Sequence, residues 1–224
     1  MKRIFKHFGF SLAEMLLTMT IVGVLAIMTL PTLKGNYDAH VTEARVKTTY
    51  NLISQAVLLS KNSGSTYLGD PKTWYDMYLK NNIKVSKECR TTASECWSNV
   101  TFSLSGSKLN IVNSDSVAVS LENGSNILIT KVAKSTAKNM YGVELVDDAN
   151  AGLLIWFDIN GDDVPNKVGN DIYVMVWNGK EILPSGANKD ISAVQRNCGS
   201  SNNGYFCLQY MMDNSWKINR KIFK

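Results

Sequence analysis

Residues 15–33 form a continuous run without a charged side chain, and this run constrains the chain more than any other feature of the sequence. An α-helix rises about 1.5 Å per residue, so a helix of this length covers about the ~30 Å hydrocarbon core of a bilayer. An ordinary secretory signal has a shorter apolar region that ends at small residues, and Ala39, preceded by Tyr37 and Asp38, makes a poor cleavage site. The run therefore predicts a helix that spans a membrane.

Three cations, Lys2, Arg3 and Lys6, precede the apolar run. Positive residues are retained on the cytoplasmic side of a membrane, so we expect the N-terminus inside and the bulk of the chain outside. The same three cations contribute to the formal net charge of +5, and without them the charge is 5 − 3 = +2. A charge this small gives no argument for a nucleic acid or an acidic substrate as partner.

One carboxylate, that of Glu14, stands at the start of the apolar run. A charged side chain at that depth is costly unless it is paired or reaches the membrane interface. Two interpretations follow from the residues. Glu14 either lies at the interface beside Ser11, or its charge is paired with a positive group.

The sequence GFSLAE at residues 9–14 resembles the processing site of type IV pilins and of type II secretion pseudopilins. The shared elements are a short basic leader, a glycine at the cut, glutamate as fifth residue of the processed chain and an apolar helix; Pro31 falls where many pilins carry a helix-kinking proline. The resemblance covers roughly residues 1–60. With the rest of the chain it gives four segments: a leader (1–9), a membrane and polymerisation helix (10–33), an amphipathic continuation (34–62) and a pilin-like domain outside the membrane (63–224).

This resemblance implies how the chain is processed and what it meets. A prepilin peptidase would cut after Gly9 and N-methylate Phe10, and Glu14 would neutralise the N-terminal amine of a neighbouring subunit. The implied location is the bacterial inner membrane, with the C-terminal domain periplasmic or extracellular, and then a filament or the cell surface. The implied partners are the peptidase, an inner-membrane assembly platform, the lipid bilayer, and copies of the chain or related pilins.

The resemblance leaves several functions open. The anchor is common to type IV pili, type II secretion and competence systems, and to major and minor subunits alike. A different class of protein, a membrane-tethered periplasmic binding or adhesion module that never polymerises, would carry the same kind of anchor.

A second set of apolar positions continues at helical spacing beyond the membrane run. Its members are Tyr37, Val41, Ala44, Thr48, Leu52, Ala56 and Leu59. They predict an amphipathic helix whose apolar stripe packs on the domain outside the membrane, and the resemblance adds packing on neighbouring subunits. Residues 62–65, Asn-Ser-Gly-Ser, offer a stop signal. Pro31 and Gly35 weaken the helix between its two halves, which predicts a kink or local melting there.

The remainder of the chain predicts an α+β fold, with the long N-terminal helix packed against an antiparallel β-sheet. Trp74, Tyr75, Tyr78 and Leu79 have helical spacing. Short apolar runs bounded by Gly, Asn, Ser or Asp then predict strands. These runs are residues 101–104, 108–112, 117–121, 127–130, 152–158, 171–177 and 205–212.

The four cysteines occur as two close pairs, Cys89 with Cys96 and Cys198 with Cys207. Pairing within each short loop is what an oxidising compartment permits, and free buried thiols are the alternative. Neither spacing is C-x-x-C, and the histidines lie far away near the N-terminus, so a zinc site is poorly supported. We predict two local disulfides.

Residues 158–171, between two predicted strands, contain the most distinctive polar segment. Asp158, Asn160 and Asp162 follow the i, i+2, i+4 spacing of calcium ligands in EF-hand loops, with Asp171 as a further carboxylate. The glycine and the glutamate that an EF-hand requires at its sixth and twelfth positions are absent. The segment is therefore either a calcium site of different geometry or a turn stabilised by Asx and Gly residues. No other cofactor is indicated.

Two further functions find little support. The sequence contains neither a G-x-S-x-G elbow nor a G-x-x-x-x-G-K loop, so we do not predict an enzyme. Residues 216–224 mix cations with aromatic and aliphatic residues, and some pilins of DNA-uptake machines bind DNA. A terminal strand with a solvated basic face explains the same residues, so DNA is not expected as a partner.

Overall fold

The computed structural model describes residues 11–61, 69–98 and 100–218, and at residues 30–36 it describes the backbone alone. The chain separates into two compact units, Met1–Val41 and Thr42–Lys224. Helix α1 (Leu12–Lys61) provides all of the described secondary structure of the first unit and continues into the second. The second unit also contains the sheet and the remaining helices, so the chain is α+β with an N-terminal apolar helix.

Helix α1 is continuous over 50 residues. Pro31 and Gly35 do not interrupt it, so the predicted local melting between its halves is not found; the kink at Pro31 remains a prediction. The helix ends at Lys61, directly before the predicted stop signal.

The principal sheet has six strands, all antiparallel to their neighbours, in the order β1-β4-β5-β6-β7-β8. A second sheet pairs two short strands, β2 and β3. The strand bounds are β1 Val85–Cys89, β2 Thr101–Phe102, β3 Lys108–Leu109, β4 Val117–Leu121, β5 Asn126–Ala133, β6 Ala151–Asp158, β7 Ile172–Trp177 and β8 Ile182–Pro184.

Four short helices accompany the sheet. Their bounds are α2 Pro71–Tyr78, α3 Lys134–Asn139, α4 Ile191–Asn197 and α5 Cys207–Asp213, with a single 3₁₀ turn at Ala93–Glu95. Helix α2 begins where the side chain of Asp70 accepts a hydrogen bond from the backbone N–H of Thr73 at 2.8 Å, a typical N-cap.

The central strands arise from continuous apolar runs. Every residue of β7 is buried, and in β6 only Ala151 is partly exposed, so both faces of these strands are covered. The predicted strands 117–121, 127–130, 152–158 and 171–177 are confirmed within one residue at their starts, and β5 is longer than predicted. The predicted strands 101–104 and 108–112 are reduced to the two-residue strands β2 and β3.

An aromatic cluster fixes α2 on the sheet. The ring of Trp177 in β7 lies 5.8 Å from that of Trp74 and 5.0 Å from that of Tyr78, centroid to centroid. All three side chains are buried. The helical spacing of the aromatic residues in this segment is thus confirmed, and aromatic pairs at such distances add specific stabilisation to the buried area.

The face of α1 that enters the core differs from the predicted stripe. The residues that are buried are Val46, Thr49, Ile53, Ala56 and Val57. Of the predicted stripe only Ala56 is buried, whereas Leu59 is 60% exposed and Ala44 and Thr48 are exposed. The predicted helical spacing was right, but the predicted stripe lies on a different face of α1 from the residues that are buried. The buried Val46 and Ile53 place more apolar surface in the core than an alanine such as Ala44 would. On the same face, the hydroxyl of Thr49 lies 3.5 Å from that of Ser125.

The C-terminal region corrects two strand predictions. The segment 205–212 was predicted as a strand and is the helix α5 instead, because a short apolar run fits a buried helix as well as a strand. Residues 216–218 were assigned to a terminal strand and form none. The ring of Trp216 lies 5.2 Å from that of Tyr50 in α1, and the Ile218 N–H donates to Glu43 Oε1 at 2.9 Å. Residues 219–224 lie outside the described residues.

Both predicted disulfides are present. Cys89 is bonded to Cys96, and Cys198 is bonded to Cys207. The second disulfide links the start of the α4–α5 connection to the first residue of α5. Neither pair leaves a free thiol. Such short covalent loops reduce the freedom of the unfolded chain.

Candidate functional site

The N-terminal part of α1 carries the apolar surface that the sequence predicted. The segment Leu12–Thr29 is long and apolar enough to cross a membrane, and none of it is buried within the chain. Its polar side chains are satisfied locally: the hydroxyls of Thr18, Thr20 and Thr29 donate to the backbone carbonyls of Met15, Leu16 and Leu25 at 3.0, 2.6 and 2.9 Å. Hydroxyls bonded in this way do not prevent a helix from entering hydrocarbon.

Glu14 is held by Ser11 at the first turn of α1. The Ser11 N–H donates to Glu14 Oε2 at 2.8 Å, and the Glu14 N–H donates to Ser11 Oγ at 3.2 Å. This reciprocal pair is a capping box, which satisfies two backbone N–H groups that a helix start leaves without partners. The S-x-x-E spacing is a sequence signal for a capping box. Our prediction named Ser11 only as a neighbour of Glu14 and did not include the capping box. The predicted processing residues, Gly9 and Phe10, lie outside the described residues.

The segment 158–171 joins the end of β6 to the start of β7, and we call it the β6–β7 loop. Asp158 is the last residue of β6 and Asp171 directly precedes β7. The Ile159 N–H donates to the carbonyl of Asp171 at 3.0 Å, so the sheet pairing continues into the base of the loop. The two aspartates are thereby brought to the same end of two adjacent central strands.

Asp171 organises the turn. Its Oδ2 accepts from the backbone N–H of Asn166 at 2.8 Å and its Oδ1 from that of Lys167 at 2.6 Å. Asn166 has φ +51°, and asparagine is one of the few residues that adopt this left-handed conformation readily. These contacts are those of the predicted Asx-rich turn. Asn166 was not among the residues singled out from the sequence, although its place after Pro165 in a polar loop is a turn signal.

The two aspartates are buried acids, and the charge of Asp171 acts on Asp158. Asp158 is 2% exposed and Asp171 is 4% exposed. Burial, followed by the negative charge of Asp171, raises the pKa of Asp158 to about 8. Burial also raises the pKa of Asp171, against the opposing effect of its bonds from the N–H groups of Lys167 and Asn166. Burial of a carboxylate favours its neutral form unless a positive charge compensates.

Two amide oxygens in the same loop have no hydrogen-bond donor. They are Asn160 Oδ1 and Asn166 Oδ1, and both atoms are buried. The Asn160 Nδ2 donates to the carbonyl of Asp163 at 3.2 Å and lies 3.5 Å from Asp171 Oδ2, which fixes which end of the amide is the oxygen. Buried acceptors are nearly always satisfied in folded proteins, so these two oxygens require an explanation.

The remaining predicted ligand, Asp162, lies differently. Its side chain is exposed, and its Oδ1 accepts from Nδ2 of Asn126 at 3.3 Å. Among the described residues, no three His, Cys, Asp or Glu side chains are grouped so that they could hold a metal ion together. Any cation at this loop would therefore depend on amide oxygens as well as on carboxylates.

The loop is packed tightly against three other parts of the domain. A Cβ on Gly161, whose φ is +72°, would lie 2.6 Å from the carbonyl oxygen of Gly124, and one on Gly169 would lie 2.7 Å from Sγ of Cys207. The Phe102 N–H of β2 donates to the carbonyl of Asn166 at 2.9 Å. The β4–β5 turn, the second disulfide and β2 thus hold the loop in one arrangement.

The fold and these two sites define an α+β protein with an N-terminal helix capable of crossing a membrane and a six-stranded antiparallel sheet. Comparisons with protein-family models, with curated protein sequences and with solved structures return no significant match.

Proposed function

We propose that the chain is a structural subunit of a type IV pilus or a type II secretion pseudopilus. In this proposal a prepilin peptidase cleaves after Gly9, the processed chain is stored in the inner membrane, and its N-terminal helix then packs among those of other subunits. The observation that carries the proposal is the sequence GFSLAE at residues 9–14, which leads into a helix whose apolar side chains are exposed over the segment Leu12–Thr29.

The exposed apolar surface supports packing between chains. Leu12, Leu16 and Ile27 are 82%, 61% and 75% exposed. Such a surface is stable only in lipid or against other apolar side chains, because water disfavours it. A bundle of identical helices in a filament provides the second environment, and the bilayer provides the first.

Glu14 supports a defined register within such a bundle. In the isolated chain its carboxylate accepts a hydrogen bond from the Ser11 N–H. Within an apolar filament core a carboxylate requires a positive partner, and the amine of a processed neighbour supplies one. Subunits docked in a different axial register would leave the carboxylate unpaired, so the charge favours one axial position.

A membrane-tethered binding module is the second candidate. An open cleft of about 560 Å³ favours it, because the cleft combines two cations, Lys189 and Arg196, with the ring of Phe206 and with several amides. The amides belong to Asn139, Asn197, Asn202 and Asn203. A polar cleft of this kind suits a ligand with several oxygen atoms. A tethered module and a filament subunit use the same anchor.

Filament shearing separates the two candidates. Cells that express the chain with its assembly system are sheared, and the released filaments are analysed by mass spectrometry for peptides of residues 100–218. The proposal predicts that the chain is released with filaments, and that deletion of the prepilin peptidase abolishes the release. Retention of all the chain in the membrane fraction of assembling cells would instead support the tethered module.

A further inference from the structure

We propose that residues 108–112, which we call the β3 edge, bind an extended acidic peptide of a partner protein as an additional strand. The segment runs from the short strand β3 to the turn that precedes β4. The partner is defined by its chemistry: a backbone in β conformation, with apolar side chains on one face and carboxylates on the other. This inference concerns the second unit alone and does not depend on filament assembly.

The first argument is a strand signal that the fold leaves half unused. The sequence Lys-Leu-Asn-Ile-Val predicts a strand over 108–112, yet only Lys108–Leu109 pair with β2. The unpaired half ends in Ile111 and Val112, which are β-branched and therefore favour strands. Disagreement between a local signal and the fold is expected where a segment serves a function. The unpaired half thus suits a strand that another chain supplies.

The second argument is the direction of the backbone groups. Phe102 of β2 donates its N–H to the Asn166 carbonyl at 2.9 Å, and its carbonyl accepts from the Val168 N–H at 2.8 Å. Both backbone groups of Phe102 therefore face the β6–β7 loop and not β3. In an antiparallel pair, the residue opposite such a position also turns its groups outward. Lys108 lies opposite Phe102, so its N–H and carbonyl face the free edge, and Asn110, two residues on, continues that edge.

The backbone groups of this edge lack partners. Within the described part of the chain, the backbone of residues 110–112 makes no hydrogen bond. Bonding resumes at Asn113, whose N–H donates to Ser116 Oγ at 3.0 Å. The side chains of Ile111 and Val112 pack partly against the core, so they hold the segment in place while its backbone stays unpaired. A row of unpaired N–H and C=O groups on a held segment is a template for strand addition.

Two clefts adjoin the β3 edge. The first, of about 340 Å³, is lined by residues 109–112 together with Ser94, Ser98 and Thr101. The second, of about 250 Å³, is lined in part by Asn110 and by the last four residues of β5. Peptides that add a strand gain specificity from pockets that receive their alternate side chains. The clefts provide such pockets.

Charge selects an acidic partner. Lys108 is exposed on the β3 edge, and Lys131 lines the smaller cleft. Among the described residues neither lysine forms an ion pair, and no aspartate or glutamate lines either cleft. Carboxylates of a docked peptide would compensate these cations, since opposite charges on adjacent strands attract. The β3 edge of a second copy carries no acid, so self-pairing gains no such contact.

The test uses the full chain in detergent and a labelled peptide of about nine residues, the length of a long strand, in which valine alternates with glutamate. Two matched peptides separate charge from strand addition. One has lysine in place of every glutamate, and the other keeps glutamate but carries a methyl group on every peptide nitrogen. Fluorescence anisotropy should show one saturable site for the glutamate peptide and at least 10-fold weaker binding of each matched peptide.

Amide hydrogen exchange, followed by NMR, locates the added strand. Binding of the glutamate peptide should slow exchange at the amides of Lys108 and Asn110 at least 10-fold. The amide of Leu109, which faces β2, should change little. Protection at another edge, with none at Lys108 and Asn110, would overturn the placement.

Three variants assign the contacts. Asn110→Pro removes an exposed N–H that makes no bond within the chain, and Lys108→Glu reverses a charge; each should weaken binding of the glutamate peptide at least 10-fold. Lys108→Glu should also bind the lysine peptide more tightly than the parent does. Lys180→Glu, on the β7–β8 turn outside both clefts, is the matched control and should bind as the parent does.

Four outcomes would overturn the proposal. The first is absence of binding by the folded parent at about 1 mM glutamate peptide, which would identify a solvated edge. The second is equal binding of the methylated peptide, and the third is an equal loss in Lys180→Glu. The fourth is a dimer of the parent that the peptide does not dissociate and that Asn110→Pro abolishes, which would assign the β3 edge to a second copy.

Discussion

Ser11 and Glu14 exchange two hydrogen bonds at the start of α1, so the carboxylate expected to pair between subunits is already engaged within its own chain. The pair satisfies backbone groups that would otherwise enter an apolar environment without partners. If Glu14 binds a neighbour's amine in a filament, its carboxylate retains lone pairs for that second contact. Helix capping and the proposed role in subunit register can thus be tested separately at this side chain.

Glutamine at position 14 separates these two properties. Glu14→Gln can still accept from the Ser11 N–H, since glutamine serves in a capping box, but it carries no charge. We predict that Glu14→Gln and Glu14→Ala lose incorporation into sheared filaments to the same degree, by at least 10-fold, while Ser11→Ala retains most of it. Normal incorporation of Glu14→Gln would show that capping, and not charge pairing, is what position 14 contributes.

The pH dependence of stability tests the buried state of Asp158. The pKa of Asp158 is raised to about 8, above its ordinary value of 3.8. Between these pH values the folded chain holds a proton that the unfolded chain has lost, so the free energy of unfolding falls as pH rises. In EDTA we expect a decrease of up to about 1.4 kcal/mol per pH unit between pH 5 and pH 7.5.

Urea unfolding of the parent and of Asp158→Asn provides the measurement. The variant cannot lose a proton at this position, so its stability should change less over the same pH interval and should exceed that of the parent at pH 7.5. Parallel pH profiles of the two proteins would contradict the raised pKa.

Gly161 tests the packing of the β6–β7 loop. Its φ is +72°, and a Cβ there would meet the Gly124 carbonyl oxygen at 2.6 Å. Gly161→Ala should therefore lower the free energy of unfolding by more than about 2 kcal/mol, through backbone strain and a steric clash together. Gly106→Ala is the matched control, since Gly106 has φ +92° but open space around its Cβ, and only the strain of about 1 to 2 kcal/mol applies. Equal losses in chemical denaturation would show that the loop does not pack closely on the β4–β5 turn.

The core face of α1 is tested by two apolar truncations. Ile53 is fully buried and Leu59 is 60% exposed. Ile53→Ala should lower the free energy of unfolding by about 2 to 5 kcal/mol, and Leu59→Ala should change it by less than about 0.5 kcal/mol. The purified chain in detergent is the material for both, unfolded by urea. A larger loss of unfolding free energy in Leu59→Ala than in Ile53→Ala would show that the apolar stripe predicted from the sequence is the core face of α1.

The parts of the fold that follow from sequence are those with one strong local signal. The apolar runs of β4, β6 and β7 are bounded by turn residues and admit few alternatives. The face of α1 was missed because several stripes with the same period run along it, and the choice is made by contacts with the sheet, such as Thr49 with Ser125. Segment 205–212 became a helix because its apolar residues satisfy both periods.

The two candidate sites differ in the same way. Glu14 and Ser11 are three residues apart, so their contact follows from helix geometry and could have been predicted in full. The contacts of the β6–β7 loop could not be predicted from sequence spacing. Asn166 matters through a left-handed turn and a distant strand, β2, and neither is encoded by spacing within the loop. Asp162 fits the spacing, yet Asn126 from β5 engages it.

The N-terminus of the mature chain tests the proposed filament subunit most directly. The protein is isolated from cells that contain a prepilin peptidase, and its N-terminal peptide is sequenced by mass spectrometry. The account predicts a chain that begins at Phe10 and carries a methyl group on its amine, with a Gly9→Ala chain left uncut as control. An intact Met1 in the parent, or a terminus near Ala39, would contradict it.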